Sequence, residues 1–488
     1  MLQEPPAEGA LMPERSDYDA VVIGSGPNGL AAAITLCGPF PSVLLVEGGK
    51  TIGGGMRSSE LTLPAFVHDV CSTVQPLAVS SPFFRQLDLQ KYGLTWIQPE
   101  IPLAHPFEDG SALFLDRSLS VTAEALGSDG PAYQNLLLPF VENHERFLGD
   151  ILRPLHFPKN PLLMMGFAAH AVRSARDLAG AKFRQAKTRA LFAGLAAHAM
   201  IPLEKPLTGA FGIILATLAH AVGWPIVKGG SQKLADALAA CFQEKGGEIE
   251  TGRLISSVHD LPKATYYLFD VTPRQLLQMK GLGLSESYRK KLAAFRYGSG
   301  VHKMDWALKE PIPWKAAICK KAGTVHLGNS LEEISASIRQ TAQGKMPSSP
   351  YIVLAQQSLF DSSRAPAGRH TAWAYCHVPH GSASEAAALI EAKIERYAPG
   401  FREVILAGSS MSAAAMEQYN PNYVGGDING GVQDIFQFYT RPVVSLTPYR
   451  TSEKHIFICS SSTPPGGGVH GLCGYFAARD LLQSAKLS

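Results

Sequence analysis

Residues 18–47 read YDAVVIGSGPNGLAAAITLCGPFPSVLLVE, and this order of residue types restricts the fold more tightly than any other stretch. The run from Tyr18 to Ile23 is short and largely apolar, as expected of a parallel strand buried on both faces. It turns through Gly24-Ser25-Gly26-Pro27-Asn28-Gly29 into LAAAITL, which has helical composition, and SVLLVE then supplies a second apolar strand ending at Glu47. A chain with 46 glycines produces some Gly-x-Gly-x-x-Gly runs by chance. In the order strand, glycine turn, helix, strand, acid, the run predicts a dinucleotide-binding βαβ unit rather than an ordinary glycine-rich turn. Gly24 permits the tight turn, Gly26 lets the backbone approach a pyrophosphate, and Gly29 lets helix and strand pack closely. The helix N-terminus offers free N–H groups to phosphate. Glu47 is placed to accept hydrogen bonds from ribose hydroxyls.

The continuation separates the common dinucleotides. After Glu47 and Gly48 the chain reads GKTIGGGMRSS, with Gly53-Gly54 beginning six residues beyond the acid, then Gly55, Met56 and the basic Arg57. A second phosphate-contacting loop of this kind belongs to FAD proteins of the glutathione-reductase-like class. No second strand–GxGxxG–helix unit follows, so the expectation is one FAD, bound non-covalently, without a separate NAD(P)H domain.

The last residues fit that plan. HIFICSSS reads as a buried strand, and TPPGGGVHG as a loop whose backbone can lie against a flat ring, bringing Ser460, Ser461, Gly467, Gly468 and Val469 to the cofactor. A helix expected to begin near Val469 would aim its positive end at the pyrimidine side of a flavin. Between the ends, VKGGSQKLADALAACFQEKGGEIETGRLISSV predicts an amphipathic helix (Leu234, Leu238 and Phe242 on one face) closed by Gly246-Gly247, then a strand. ATYYLFDVTPRQLL reads as a further strand of the same sheet.

On these blocks, together with NYVGGDINGG…RPV…PYRT, the chain resembles the phytoene desaturase-like FAD oxidoreductases over nearly its whole length. The resemblance implies that the middle unit returns the chain to the FAD domain, where Ile255 contacts adenine through its backbone. It also places the GGDINGG loop near the active site. Many members of this superfamily follow the Gly-Gly pair directly with a pyrophosphate-binding arginine; here Gly55 takes that place and Arg57 comes two later.

The resulting expectation is an α/β fold. A Rossmann-type FAD domain is assembled from residues 17–75, 226–285 and 452–488, with an inserted α+β substrate domain from 76–225 and 286–451, after a disordered lead over 1–16. His470, Asp427 and Asn429 are the candidate acid/base or substrate-facing groups, against helix-end packing for the first and turn-satisfying roles for the other two. His377 and His380 resemble a metal pair but lack a third ligand. A net charge of +3 gives no reason to expect nucleic acid, and seven scattered cysteines fit reduced thiols in a cytoplasm. The uncharged stretch 206–227 is broken by glycine, histidine and proline, and reads as a buried helix rather than a membrane span. From 153 to 189 eight Lys/Arg and one acid accompany PLLMMGF, a pattern suited to peripheral contact with an anionic lipid surface or, alternatively, to a solvated cap. The function these readings imply is FAD-dependent dehydrogenation or isomerisation of a C–C bond in an apolar, isoprenoid-like or lipid molecule. The rivals are a flavin amine oxidase, with Tyr439 and Tyr449 as a candidate aromatic cage, and a carrier that keeps the fold without redox work.

Overall fold

A computed structural model describes residues 17–486, so the expected disordered lead over 1–16 lies outside the described residues. Five parallel strands form the first sheet, in the order Ile456–Ile458, Ala264–Phe269, Tyr18–Ile23, Val43–Glu47, Glu248–Thr251. Three distant chain segments thus meet in one sheet. Its central strands are largely apolar because helices cover both faces, whereas the edge strand Glu248–Thr251 is polar and partly exposed. Pro27–Leu36, Gln232–Glu244 and Leu472–Ala485 pack on one side, and residues Leu276, Leu282, Tyr288 and Leu292 on the other. The strand expected over EIETGRLISSV stops at Thr251, where Gly252 turns the chain at φ 74°.

The last helix lies directly on the first. A Cβ on Gly474 would stand 1.7 Å from the Asn28 carbonyl oxygen, and one on Gly471 would stand 2.9 Å from the Ala31 Cβ. Small residues at the crossing let the two backbones touch, which is why the chain closes on a glycine-lined helix.

Two domain boundaries move. Ala78, Phe83, Phe84, Leu89 and Leu94 share a core with Leu30 and Leu45, and Tyr288 and Leu292 share one with Val21 and Phe269. The first domain therefore extends past residues 75 and 285 to Leu94 and Leu292. The chain leaves it only where Trp96–Ile97 pairs antiparallel with Ile226–Val227.

The second sheet has seven strands, in the order Ile405–Met411, Gly300–Leu308, His370–Val378, Ile352–Ala355, Ala322–Leu327, Ile101–Pro106, Ala112–Leu115. Its pairs are antiparallel except Ala322–Leu327 with Ile101–Pro106. Period-2 alternation sends Met304, Trp306 and Leu308 into one core and Val301 and Lys303 to the opposite face. Register then lines up Lys303, Tyr375, Val353 and His326 as cross-strand neighbours. Helices Ala186–Ala196 and Thr208–Ala221 lie over this face. The latter occupies the uncharged stretch and is largely buried, and no helix among the described residues is long and apolar enough to cross a membrane.

Candidate functional site

One cavity of about 580 Å³ runs from the glycine turn of the first sheet to the face of the second. At the first end its wall includes Gly24, Ser25, Gly26, Pro27, Asn28, Glu47, Gly48, Gly54, Gly55, Arg57 and Ile255, so most of the sequence-predicted cofactor residues meet there. The turn is bare for two reasons. A Cβ on Gly29 would stand 1.9 Å from the Gly24 carbonyl oxygen, as close helix–strand packing requires. A Cβ on Gly26 would stand 2.7 Å from Asp270 Oδ2, so Gly26 makes room for a protein carboxylate as well as for a ligand. Gly54 of the second loop stacks on it, its own missing Cβ 2.9 Å from the Gly26 Cα.

Asp270, which the sequence reading passed over, ends the strand Ala264–Phe269. Its Oδ2 accepts the Gly29 N–H at 2.9 Å, inside the first turn of the first helix. Burial, with Glu47 nearby, pushes its carboxyl up to about 7 against the favourable Gly29 bond.

Glu47 is more engaged than expected. One oxygen accepts the Ser25 N–H at 3.0 Å and the Ser25 hydroxyl at 2.5 Å; the other accepts Gly49 N–H at 2.7 Å and Arg57 Nη2 at 3.0 Å. A ribose hydroxyl reaching this carboxylate must displace the Ser25 hydroxyl or Arg57. Arg57 also donates from Nε and Nη2 to the Thr51 carbonyl and lies over the Tyr419 ring, which holds its guanidinium at the Glu47 end of the cavity wall. Asn28 donates to Ser461 Oγ at 3.2 Å and keeps a buried Oδ1 without a partner in the protein.

Ser461, Gly468, Val469 and Asn429 line the middle of the cavity. Gly29, Gly53, Met56, Ser460 and Gly467 stand behind the wall: Met56 is fully buried, Ser460 Oγ accepts the Ser462 N–H, and a Cβ on Gly467 would meet the Asn429 carbonyl at 2.8 Å.

Two candidate catalytic residues are corrected. The last helix begins at Leu472, and His470 Nδ1 accepts the Leu472 N–H at 3.0 Å. Burial drops this imidazole to about 4. It is a neutral cap on the helix and lies off the cavity wall. Asp427 accepts three backbone N–H groups, from Gly298 (2.7 Å), Asn429 (2.7 Å) and Gly431 (3.0 Å). Those bonds fold the GGDINGG loop and leave the carboxylate buried off the cavity; Asn429 alone of the three candidates faces it. The aromatic cage also moves. Tyr449 is buried and donates to the Pro464 carbonyl, and half-exposed Tyr439 lies elsewhere, while Trp224, Trp373, Tyr375, Tyr419 and Tyr423 supply aromatic wall. His377 is buried on the second sheet, and no His/Cys/Asp/Glu group among the described residues has metal-holding geometry.

At the far end Leu215, Val301, Val353, Met416 and Ile428 make an apolar lining, interrupted by Lys303. Lys303 is buried and hydrogen-bonded to Asp305, whose carboxyl burial pushes up to about 6. His68 lies 3.5 Å from the other Asp305 oxygen. Behind it Arg364 pairs with Asp69 at 3.1 Å and Asp361 at 3.0 Å, and donates to the Val227 carbonyl. A lysine and an aspartate two apart in the largely apolar VHKMDWAL were the available signal.

The NAD(P)-binding Rossmann-like domain family matches residues 22–86. Among curated proteins, the chain is 26% identical to the mouse "Pyridine nucleotide-disulfide oxidoreductase domain-containing protein 2", over 98% of this chain and 95% of that one. It is 26% identical to one of the polypeptides of the limonene dehydrogenase of Castellaniella defragrans, over 28% of this chain and 25% of that one. Among solved structures, an oxidoreductase from Methanosarcina mazei superposes with TM-score 0.64 at 16% identity, over 96% of this chain and 100% of that one. Putrescine oxidase bound to putrescine superposes with TM-score 0.60 at 14% identity, over 96% and 98%. The chain is thus built on a Rossmann-like dinucleotide-binding domain set in the fold of these oxidoreductases.

Proposed function

We propose that the protein is an FAD-dependent oxidoreductase that desaturates or isomerises a C–C bond of an apolar, isoprenoid-like or lipid molecule. The observation that carries this reading is the continuity of one cavity from Glu47 and the glycine turn to an apolar, aromatic wall. The chemistry of the first end fits a dinucleotide: a bare glycine turn and an orphaned buried Asn28 Oδ1. Gly24–Asn28, Gly54, Gly55 and Ile255 would hold FAD, with Glu47 toward ribose and Ser461, Gly468 and Val469 toward the ring. A bound flavin supplies a hydride acceptor. The chain's own task is to exclude water with Leu215, Val301, Val353 and Trp373, and to fix one positive charge, Lys303 Nζ, against Asp305. The name of the bacterial relative, limonene dehydrogenase, favours an isoprenoid-like substrate.

A second reading, amine oxidation, is favoured by the likeness to putrescine oxidase and by the aromatic wall. Against it, the carboxylate nearest Lys303 is already paired with it. Anaerobic mixing decides between them: polyenes or terpenes should bleach the flavin absorbance when desaturated, or be converted to a double-bond isomer without net bleaching when isomerised, whereas bleaching by amines alone would replace the first reading with the second. Purified protein without flavin absorbance would overturn both. We also propose that the apolar substrate is collected at a membrane surface, through the exposed side chains of Leu155, Phe157, Leu162 and Met165.

A further inference from the structure

A second group of exposed apolar side chains lies far along the chain from the Leu155–Met165 patch. Phe436, Val444 and Leu446 are 77%, 81% and 99% exposed, and Ile435 and Tyr439 stand beside them in the sequence, also exposed. A single exposed leucine is ordinary on a protein surface, but a cluster of large apolar side chains marks a contact. The stretch that carries them is tied down at both ends. Arg441 is buried and donates to the Ser461 and Val432 carbonyls, and buried Tyr449 donates to the Pro464 carbonyl. Between these anchors only Val444 to Thr447 are exposed, so the loop presents Leu446 from a fixed base.

One helix joins the two groups. Along Pro161–Ala171 and its cap, Leu162, Met165, Ala169 and Val172 are exposed and recur every three or four residues, which makes them one stripe. The stripe ends at the first turn of Thr208–Ala221: a Cβ on Gly209 would stand 3.0 Å from the Arg173 carbonyl oxygen and 3.3 Å from that of His170. Two residues on, the Phe211 ring meets Phe438 edge-on, with centroids 6.3 Å apart. Phe438 also lies against Gly466, whose Cβ position is 4.0 Å from its ring. One helical turn beyond Phe211, Leu215 lines the cavity, and Gly468 and Val469 line it just after Gly466. Both apolar groups thus flank the same turn of one helix, with the cavity wall one turn behind it.

The charges select the occupant. From residue 161 to 176 and from 435 to 452 the chain carries no acid, and Asp434, at the edge of the second group, is paired with Arg296. Lys205, three residues before Thr208, is exposed and has no ion pair among the described residues. An apolar surface without acids and with a basic rim fits the interface of an anionic bilayer. A second copy of the chain would set that rim against its like.

We propose that residues 435–446 seat in the interface of an anionic bilayer together with the Leu162–Val172 stripe, so that the protein rests on lipid across the Phe211–Phe438 contact. This rests on the membrane reading above and adds to it a second element and a stated orientation. The test compares Leu446→Trp with Lys345→Trp on vesicles of equal phosphatidylcholine and phosphatidylserine, with brominated or plain acyl chains. Both positions are exposed, and Met346, beside Lys345, packs into the core on the opposite face of the second sheet. On brominated vesicles Leu446→Trp should lose emission, and Lys345→Trp should lose no more than the wild type. Replacing Phe436, Val444 and Leu446 together by Ser should weaken vesicle binding about ten-fold or more and leave the unfolding midpoint unchanged. Vesicle binding without quenching in Leu446→Trp would overturn the proposal while the membrane reading stands on the Leu162 group. Absence of vesicle binding at low salt would end both. A dimer that the triple substitution dissociates would make this stretch a contact between two copies, and would overturn the proposal as well.

Discussion

Asp270 and Gly29 meet where the glycine turn becomes a helix, the backbone N–H of one pointing at the buried carboxylate oxygen of the other across 2.9 Å. Their bond holds the turn, but burying the carboxylate that accepts it costs the protein at high pH. Burial pushes the Asp270 carboxyl up to about 7, from near 4 in an unfolded chain. The native state therefore binds the extra proton between about pH 4 and 7, and stability falls as pH rises through that window. Asp270→Asn keeps an acceptor for Gly29 and removes the charge. It should match the wild type below about pH 4 and exceed it above about pH 7, by up to about 4 kcal/mol at ~1.4 kcal/mol per pH unit. Urea titrations across this range check it, and a difference that does not change with pH would sink the account.

Gly474 makes a second prediction with an internal control. A methyl there would overlap the Asn28 carbonyl, 1.7 Å away, and neither helix backbone can yield. Gly474→Ala should cost about 3 kcal/mol or more by overpacking and also displace the Asn28 amide from the cavity. Gly180, inside the helix Ala175–Lys182, has nothing within 4 Å of its Cβ position. Gly180→Ala should instead stabilise by about 0.5–1 kcal/mol. Thermal unfolding of the two variants should move in opposite directions.

Lys303 and Asp305 let stability be separated from chemistry. Lys303→Met alone leaves Asp305 buried without its cation, and should cost about 3–5 kcal/mol. Removing both charges, in Lys303→Met/Asp305→Leu, should recover most of that loss, because the pair offsets little more than its own desolvation. If Lys303 acts on bound ligand, turnover stays lost in the double variant although its denaturation midpoint returns. Recovery of both together would make the pair purely structural.

The first sheet was legible because its grammar is local. A buried parallel strand, a glycine turn and a helix follow one another within thirty residues, and Glu47 ends the next strand. Asp270 ends a strand of the same sheet and carried the same signal, an acid at the carboxyl end of a parallel strand. His470 was misread because three residues decide between facing the ring and capping the helix, and boundaries are the least legible feature of a sequence. The far wall was illegible for a different reason. Lys303, Tyr375, Val353 and His326 are neighbours only through the register of four strands, which no local pattern reports.

The final prediction concerns delivery of an apolar substrate. Helix Pro161–Ala171 turns Phe167 and Ala171 inward and leaves Leu162 and Met165 82% and 67% exposed; Leu155 and Phe157 just before it are 77% and 85% exposed. Met164 packs partly against the core and drops out of the exposed group. The basic residues around them are less free than their number suggests. Arg176 pairs with Glu204, Lys187 with Asp109, and Arg173 and Arg189 donate to backbone carbonyls. Attraction to an anionic surface should therefore be modest, screened within about 8 Å at physiological ionic strength, with apolar side chains supplying most of the hold. Burying a Phe, Leu or Met side chain contributes about 1.5–3 kcal/mol each. Replacing Phe157, Leu162 and Met165 together by Ser should weaken binding to phosphatidylserine-containing vesicles by orders of magnitude, while raised salt weakens the wild type only several-fold. The fold should survive, since these side chains project from it. If the wild type ignores such vesicles at low salt and sediments as a dimer that the triple substitution dissociates, the patch joins two copies of the chain and the membrane reading falls.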